Sequence, residues 1–114
     1  MAVPATVSDN HTCASVPTEL RLSAQSAQEI AALAKALGNP VRIQIVDLLG
    51  RYGGDVCVCD VERHFDLTQP TISHHLRVLR NAGVIEGDQR GLWIYYRISP
   101  GVLNPLRTLL GMLD

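Results

Sequence analysis

The sequence predicts a mostly α-helical domain carrying a β-hairpin wing, a winged helix-turn-helix that works as a homodimer. Two observations carry the fold. Residues 61–82 read as a short helical turn, a tight connection and a longer capped helix, and residues 92–98 form a β-branched and aromatic run behind a glycine-containing turn. A third, apolar spacing of helical period on both sides of this unit, supplies the helices that complete a core and a dimer.

The elements follow in order. Met1–Thr18 is polar, holds Pro4 and Pro17 and has no period, so residues 1–22 are expected to be a flexible arm carrying Cys13 and residues 23–114 the folded domain. Ser26-Ala-Gln-Glu29 reads as a capping box leading into Ile30, Leu33, Ala34 and Leu37, a helix over Ala27–Leu37 stopped by Gly38. Asn39-Pro40 opens a second helix, Val41–Leu49, before the break at Gly53-Gly54.

Val61–Phe65 supplies one helical turn and Asp66–Thr68 a tight connection. Gln69–Ala82 is the longer helix, with Ile72, Leu76 and Leu79 on one face. Thr68 suits its N-cap, Pro70 its first turn, and Gly83-Val84 a left-handed C-terminal cap with its apolar contact. The wing follows as Val84–Gly87 and Leu92–Ile98 around a turn at Asp88–Gly91. The last segment, Pro100–Asp114, holds Val102, Leu103, Leu106, Leu109, Leu110 and Leu113. That is too much apolar surface for a lone exposed helix, so it and the first helix are expected to pack against their copies in a twofold dimer.

At 114 residues the chain supports one domain with one core. The net charge of −1 conceals an asymmetry: residues 1–66 carry five basic and eight acidic side chains, residues 67–114 five and three. The basic half is the half with the helix-turn-helix. The first twenty residues show no basic leader or apolar core of a signal, and no apolar run is long enough to span a bilayer, so a cytoplasmic protein without membrane contact is expected. Three cysteines, an odd number, argue for free or ion-bound thiols rather than a disulfide framework.

With Ile72, Leu76 and Leu79 turned inward, the opposite face presents Gln69, Thr71, Ser73, His74 and Arg77, polar groups of the size that reaches base edges in a major groove. Arg80 falls near the end of this helix and Arg90 at the wing tip, placed for phosphate or minor groove. Each residue alone could be a solvated surface group. The ordered set of capped helix, turn, capped helix and basic-tipped hairpin points to double-stranded DNA as the partner.

The pair Cys57-Val-Cys59 could be small apolar side chains among Val56, Val58 and Val61. Three points favour an ion site. The pair sits where a helix starts, a position that lowers thiol pKa. On a regular helix residues two apart point about 200° apart, so capture of one ion by both would unwind the first turn. Cys13 is the remaining thiol, and an arm folding back, on its own subunit or the other, would make a three-sulfur site. Three thiolates suit As(III), Sb(III), Bi(III) or Pb(II) better than zinc, which prefers four ligands. His64, His74 and His75 are weaker ligand candidates.

The runs Ala36–Arg42, Cys57–Asp60, Ser73–Leu76 and Trp93–Arg97 together resemble the ArsR/SmtB family of winged-helix metal sensors over about residues 25–98. The resemblance implies a metal-free dimer that represses a resistance or efflux operon and leaves its operator on binding metal. Cys-Val-Cys-Asp resembles both arsenite sensors and cadmium/lead sensors. Where typical arsenite sensors add a third cysteine this chain has Glu62, and where cadmium/lead sensors offer two arm cysteines it has only Cys13. Residues matching the family's C-terminal zinc site are lacking. The expectation is a repressor released when As(III)/Sb(III) binds Cys13, Cys57 and Cys59, with Cd(II)/Pb(II) response or a thiol redox switch as alternatives. A thiol enzyme is disfavoured because no general base accompanies the cysteines.

Overall fold

The computed structural model describes residues 15–17 and 19–114; Cys13 and most of the expected arm lie outside them. The chain forms α1 (Ala24–Leu37), α2 (Pro40–Tyr52), β1 (Val56–Cys57), α3 (Val58–Arg63), α4 (Gln69–Asn81), β2 (Ile85–Arg90), β3 (Trp93–Ile98) and α5 (Asn104–Leu113). This is the expected winged helix-turn-helix, with α3 and α4 as the two helices and β2–β3 as the wing.

Local chemistry accounts for most boundaries, with corrections. Ser26 is not the cap of the first helix: Ser23 Oγ accepts from the Ser26 amide at 3.0 Å, so α1 starts three residues earlier than Ala27. Asn39 Oδ1 accepts from the amides of Val41 at 2.8 Å and Arg42 at 3.3 Å, and Pro40 stands in the first turn of α2 where its missing N–H costs nothing. α2 runs on to Tyr52 and stops at Gly53, whose φ of 77° is left-handed.

α4 ends as its sequence suggests. Gly83 has φ 77°, its amide donates to Arg80 O at 3.0 Å and that of Val84 to Leu79 O at 2.9 Å, the paired bonds of a Schellman cap. Val84 and Leu79 are both fully buried, so the cap is locked by the core.

Two elements differ from expectation. The wing turn is only Gly91-Leu92: Asp88, Gln89 and Arg90 continue β2, opposite Tyr95, Ile94 and Trp93. The sheet also gains a third strand, β1, which pairs antiparallel with β3 through Val56↔Tyr96 and Cys57↔Tyr95, giving the order β1-β3-β2. α3 accordingly starts at Val58 rather than Val61.

The core gathers Leu33, Ile45, Leu49, Val61, Ile72 and Leu76 from four helices, with Ile85 and Tyr96 from the sheet. At about 1.5–3 kcal/mol for each large apolar side chain removed from water, it is what orients α3 and α4. α5 contributes no buried residue; it lies beside α1 and leaves Leu110 55% and Leu113 73% exposed.

Candidate functional site

Cys57 is not a helical residue. Its backbone is extended, φ −63° and ψ 140°, because it closes β1 and caps α3, its sulfur accepting from the Cys59 amide at 3.4 Å. Cys59 lies in the first turn of α3. The change from strand to helix between them turns both side chains the same way, and the Cys59 thiol donates to Cys57 Sγ at 2.6 Å. The expected unwinding of the first turn on ion capture is thereby overturned, since the sulfurs already converge. The expected acidification is overturned for Cys59 as well: the hydrogen bond with Cys57, then burial, push its pKa up, and a six-residue helix has too little dipole to offset them.

Cys57 is buried and Cys59 half-buried. They line a cleft of about 650 Å³ whose walls include Leu48, Tyr52, Val56, Trp93 and Tyr95. His64 at its rim is oriented by its Nδ1–H, which donates to the Asp60 carbonyl at 2.7 Å. Among the described residues no group of three or more His, Cys, Asp or Glu side chains is placed to hold a metal ion.

Directly opposed residues of antiparallel strands share a face, so Cys57, Tyr95 and Asp88 stand in one row of the sheet. An ion-pair network covers the same face. Arg97 contacts Glu86 at 3.0 Å, Asp88 at 2.9 Å and Asp55 at 3.5 Å. Arg90, expected to reach out from the wing tip, instead pairs with Asp55 and lies 4.7 Å over the Tyr95 ring. α3 packs chiefly on β3 and β1, so the thiols touch the wing's sheet more directly than they touch α4.

On α4, Gln69, His74, Arg77 and Arg80 are exposed and Ser73 half-buried, while Ile72, Leu76 and Leu79 are buried. Thr71 is drawn into the cap, its hydroxyl 2.8 Å from that of Thr68. His75, a weaker ligand candidate by sequence, is instead a core residue: it is 8% exposed inside α4, and its Nδ1 accepts from Arg42 Nη1 of α2 at 3.1 Å.

The match to known proteins is decisive at this point. Residues 39–86 match the family described as bacterial regulatory protein, arsR family, and the transcriptional repressor SdpR of Bacillus subtilis is 44% identical over 70 residues, 61% of this chain and 76% of that protein. The chain belongs to the arsR family. The arsenical resistance operon repressor of Escherichia coli is 41% identical over 70 residues, 61% of this chain but 59% of that repressor. In solved structures, this fold is similar to the homodimeric winged helix-turn-helix DNA-binding domain Mb0332 of Mycobacterium bovis, described as a possible ArsR-family regulator, with TM-score 0.62 and 28% identity over 83% of this chain and 89% of that one. As an arsR-family protein, the chain is a transcriptional regulator, and no helix among its described residues is long and apolar enough to cross a membrane.

Proposed function

We propose that this chain is a homodimeric repressor that binds operator DNA and lets it go when As(III) or Sb(III) is captured by Cys57 and Cys59, with Cys13 as third ligand from the arm of either subunit. The observation that carries this reading is the convergence of the two sulfurs at 2.6 Å on the edge of the wing's sheet. Sulfurs that share an ion at about 2.3 Å each stand within about 4 Å of one another, so a small side-chain rotation suffices to seat one. The arsenical resistance repressor of Escherichia coli supports the ligand class.

Dimerisation is supported by the Mycobacterium bovis relative and by the exposed apolar residues of α5 beside α1. Gln69, Ser73 and His74 would meet base edges, with Thr71 limited by its cap bond, while Arg77, Arg80 and, once released from Asp55, Arg90 would hold phosphates.

The experiment is operator release by arsenite from the reduced full chain. Cys57→Ser and Cys59→Ser should each abolish release while leaving ion-free operator affinity nearly unchanged, because neither thiol is a DNA contact. If either variant still lets go at the wild-type arsenite concentration, the site is elsewhere. Cys13→Ser should weaken arsenite affinity, and unchanged affinity would remove the arm from the site.

The same sulfur proximity favours one second reading, a redox switch in which peroxide takes two electrons from the two thiols, leaving one disulfide and two waters. Release by peroxide alone, from a reduced protein that binds no metal or metalloid, would select it.

A further inference from the structure

We infer that the thiol pair and the aromatic cleft beside it form a site for trivalent arsenicals bearing one carbon substituent, R–As(OH)2, with aryl groups preferred. The inference rests on the proposed metalloid reading of Cys57 and Cys59 and names the class of ligand the site is shaped for.

Coordination chemistry supplies the first argument. As(III) bonded to one carbon needs only two further ligands, and the described residues bring two sulfurs together while placing no third Cys, His, Asp or Glu where it could share an ion with them. Inorganic As(III) needs a third ligand from elsewhere.

The second argument is the wall. The cleft of about 650 Å³ has a polar side, Asp55, Asp60, Arg63 and His64, and an apolar side, Leu48, Tyr52, Val56, Trp93 and Tyr95, whose aromatic rims stay wet, Trp93 48% and Tyr52 69% exposed. A hydrated arsenite gains nothing from the apolar side. A phenyl group on arsenic does gain, since stacking on Trp93 and Tyr52 removes apolar area of both partners from water. Tyr95 already has Arg90 over one face, which leaves Trp93 and Tyr52 as the free platforms.

The step balances without an oxidant or a base. Two As–O bonds break and two As–S bonds form, each thiol proton leaves with a hydroxide as water, and arsenic stays trivalent.

The test uses reduced full-length protein, arsenite and phenylarsine oxide, which hydrates to the dihydroxy form, with affinities read by calorimetry and by operator release. Phenylarsine oxide should bind at least tenfold tighter than arsenite, and Cys13→Ser should weaken arsenite while moving phenylarsine oxide less than twofold. Tyr52→Ala and Trp93→Ala should each cut the phenyl advantage threefold or more at unchanged arsenite affinity, which separates the cleft from generic dithiol chemistry. Trp93 is the single tryptophan of the chain, so its fluorescence in the wild type should also respond to the aryl group. Arsenite capture by Cys57 and Cys59 with no phenyl advantage, with an advantage indifferent to both aromatic variants, or with a phenyl site that needs Cys13, overturns this inference and leaves the proposed function standing. Capture of neither arsenical overturns both.

Discussion

Asp55 and Arg90 form an ion pair that ties the residue just before β1, the strand bearing Cys57, to the last residue of wing strand β2. The Arg90 hydrogen bond, against the opposing effect of burial, holds the Asp55 carboxyl below its usual pKa, with the charges of Arg90 and Arg97 adding to it. A pair with side chains 30% and 50% exposed is held weakly against solvent, weakly enough for a DNA phosphate to compete with Asp55 for the guanidinium. Asp55→Asn should therefore tighten operator binding up to about fivefold and steepen its salt dependence by about one unit as Arg90 joins the phosphate contacts. Arg90→Ala should weaken all sequences alike. A salt slope identical in wild type and both variants would mean that Arg90 stays with Asp55 and never serves the DNA.

Arsenite and cadmium binding should separate by pH. Capture of Cd(II) must expel at least the Cys59 proton, and because that pKa is raised the proton is present throughout the neutral range. Cadmium affinity should then climb about tenfold per pH unit between pH 6 and 8 for each proton expelled. As(OH)3 brings its own hydroxides, leaves as many waters as it gains sulfurs and should show a nearly flat profile. Calorimetry in buffers of different ionisation enthalpy counts the protons, and a steep arsenite profile would contradict the neutral exchange of hydroxide for thiol.

What could be read in the sequence divides by range. The limits of α4 were legible because Thr68 and Gly83 act on backbone groups within a few residues of themselves. β1 was not, since two residues are too few to show a period. That omission hid the convergence of Cys57 and Cys59, which depends on one residue being extended while the other is helical. Arg90 was expected to reach out from its place at the wing tip; its pairing with Asp55, 35 residues away, is one that no local pattern announces. The exposed polar residues of α4 were legible, though the capture of Thr71 by the cap was not.

On that face, base reading and phosphate holding should be separable. Ser73→Ala or His74→Ala should relax sequence preference at a cost of about 1–3 kcal/mol on the cognate site, whereas Arg77→Ala or Arg80→Ala should weaken cognate and random DNA similarly and flatten the salt dependence. Binding-site selection with each variant decides; specificity lost with Arg77 and kept without His74 would reverse the assignments.

His75 sets an acid limit on stability. Burial, then the charges of Arg42 and His74, hold its pKa below 6.5. The unfolded chain thus binds a proton the folded chain refuses, so the stability this histidine contributes is complete above the unfolded value and is lost as pH falls from about 6.5 toward its folded pKa. Urea midpoints should drop between pH 7 and 5 in wild type, and the drop should shrink in His75→Gln, which keeps an acceptor for Arg42 without the titration. An equal drop in both proteins would place the acid sensitivity elsewhere.

The route from thiols to DNA gives the last prediction. Because the sulfurs converge without any unwinding, an ion seated by side-chain rotation is expected to act on the DNA through β1 and α3 and the β3 strand they pack on, rather than through a melted turn. From there the wing and its Asp55 contacts should respond before α4, which is reached through the core it shares with Val61 and Tyr96. A ligand shifts an equilibrium only by its differential affinity for the two states, so the thiol site must be poorer while the operator is held. Reciprocity then requires that operator DNA weaken arsenite binding by the factor by which arsenite weakens operator binding; a 100-fold effect corresponds to about 2.7 kcal/mol. Asp55→Asn, by loosening the link between strand and wing, should lower this factor while Cys57 and Cys59 still bind arsenite. Titrating arsenite into free protein and into the operator complex measures it directly, and equal affinities in the two titrations would refute coupling through the sheet even if the thiols hold arsenic tightly.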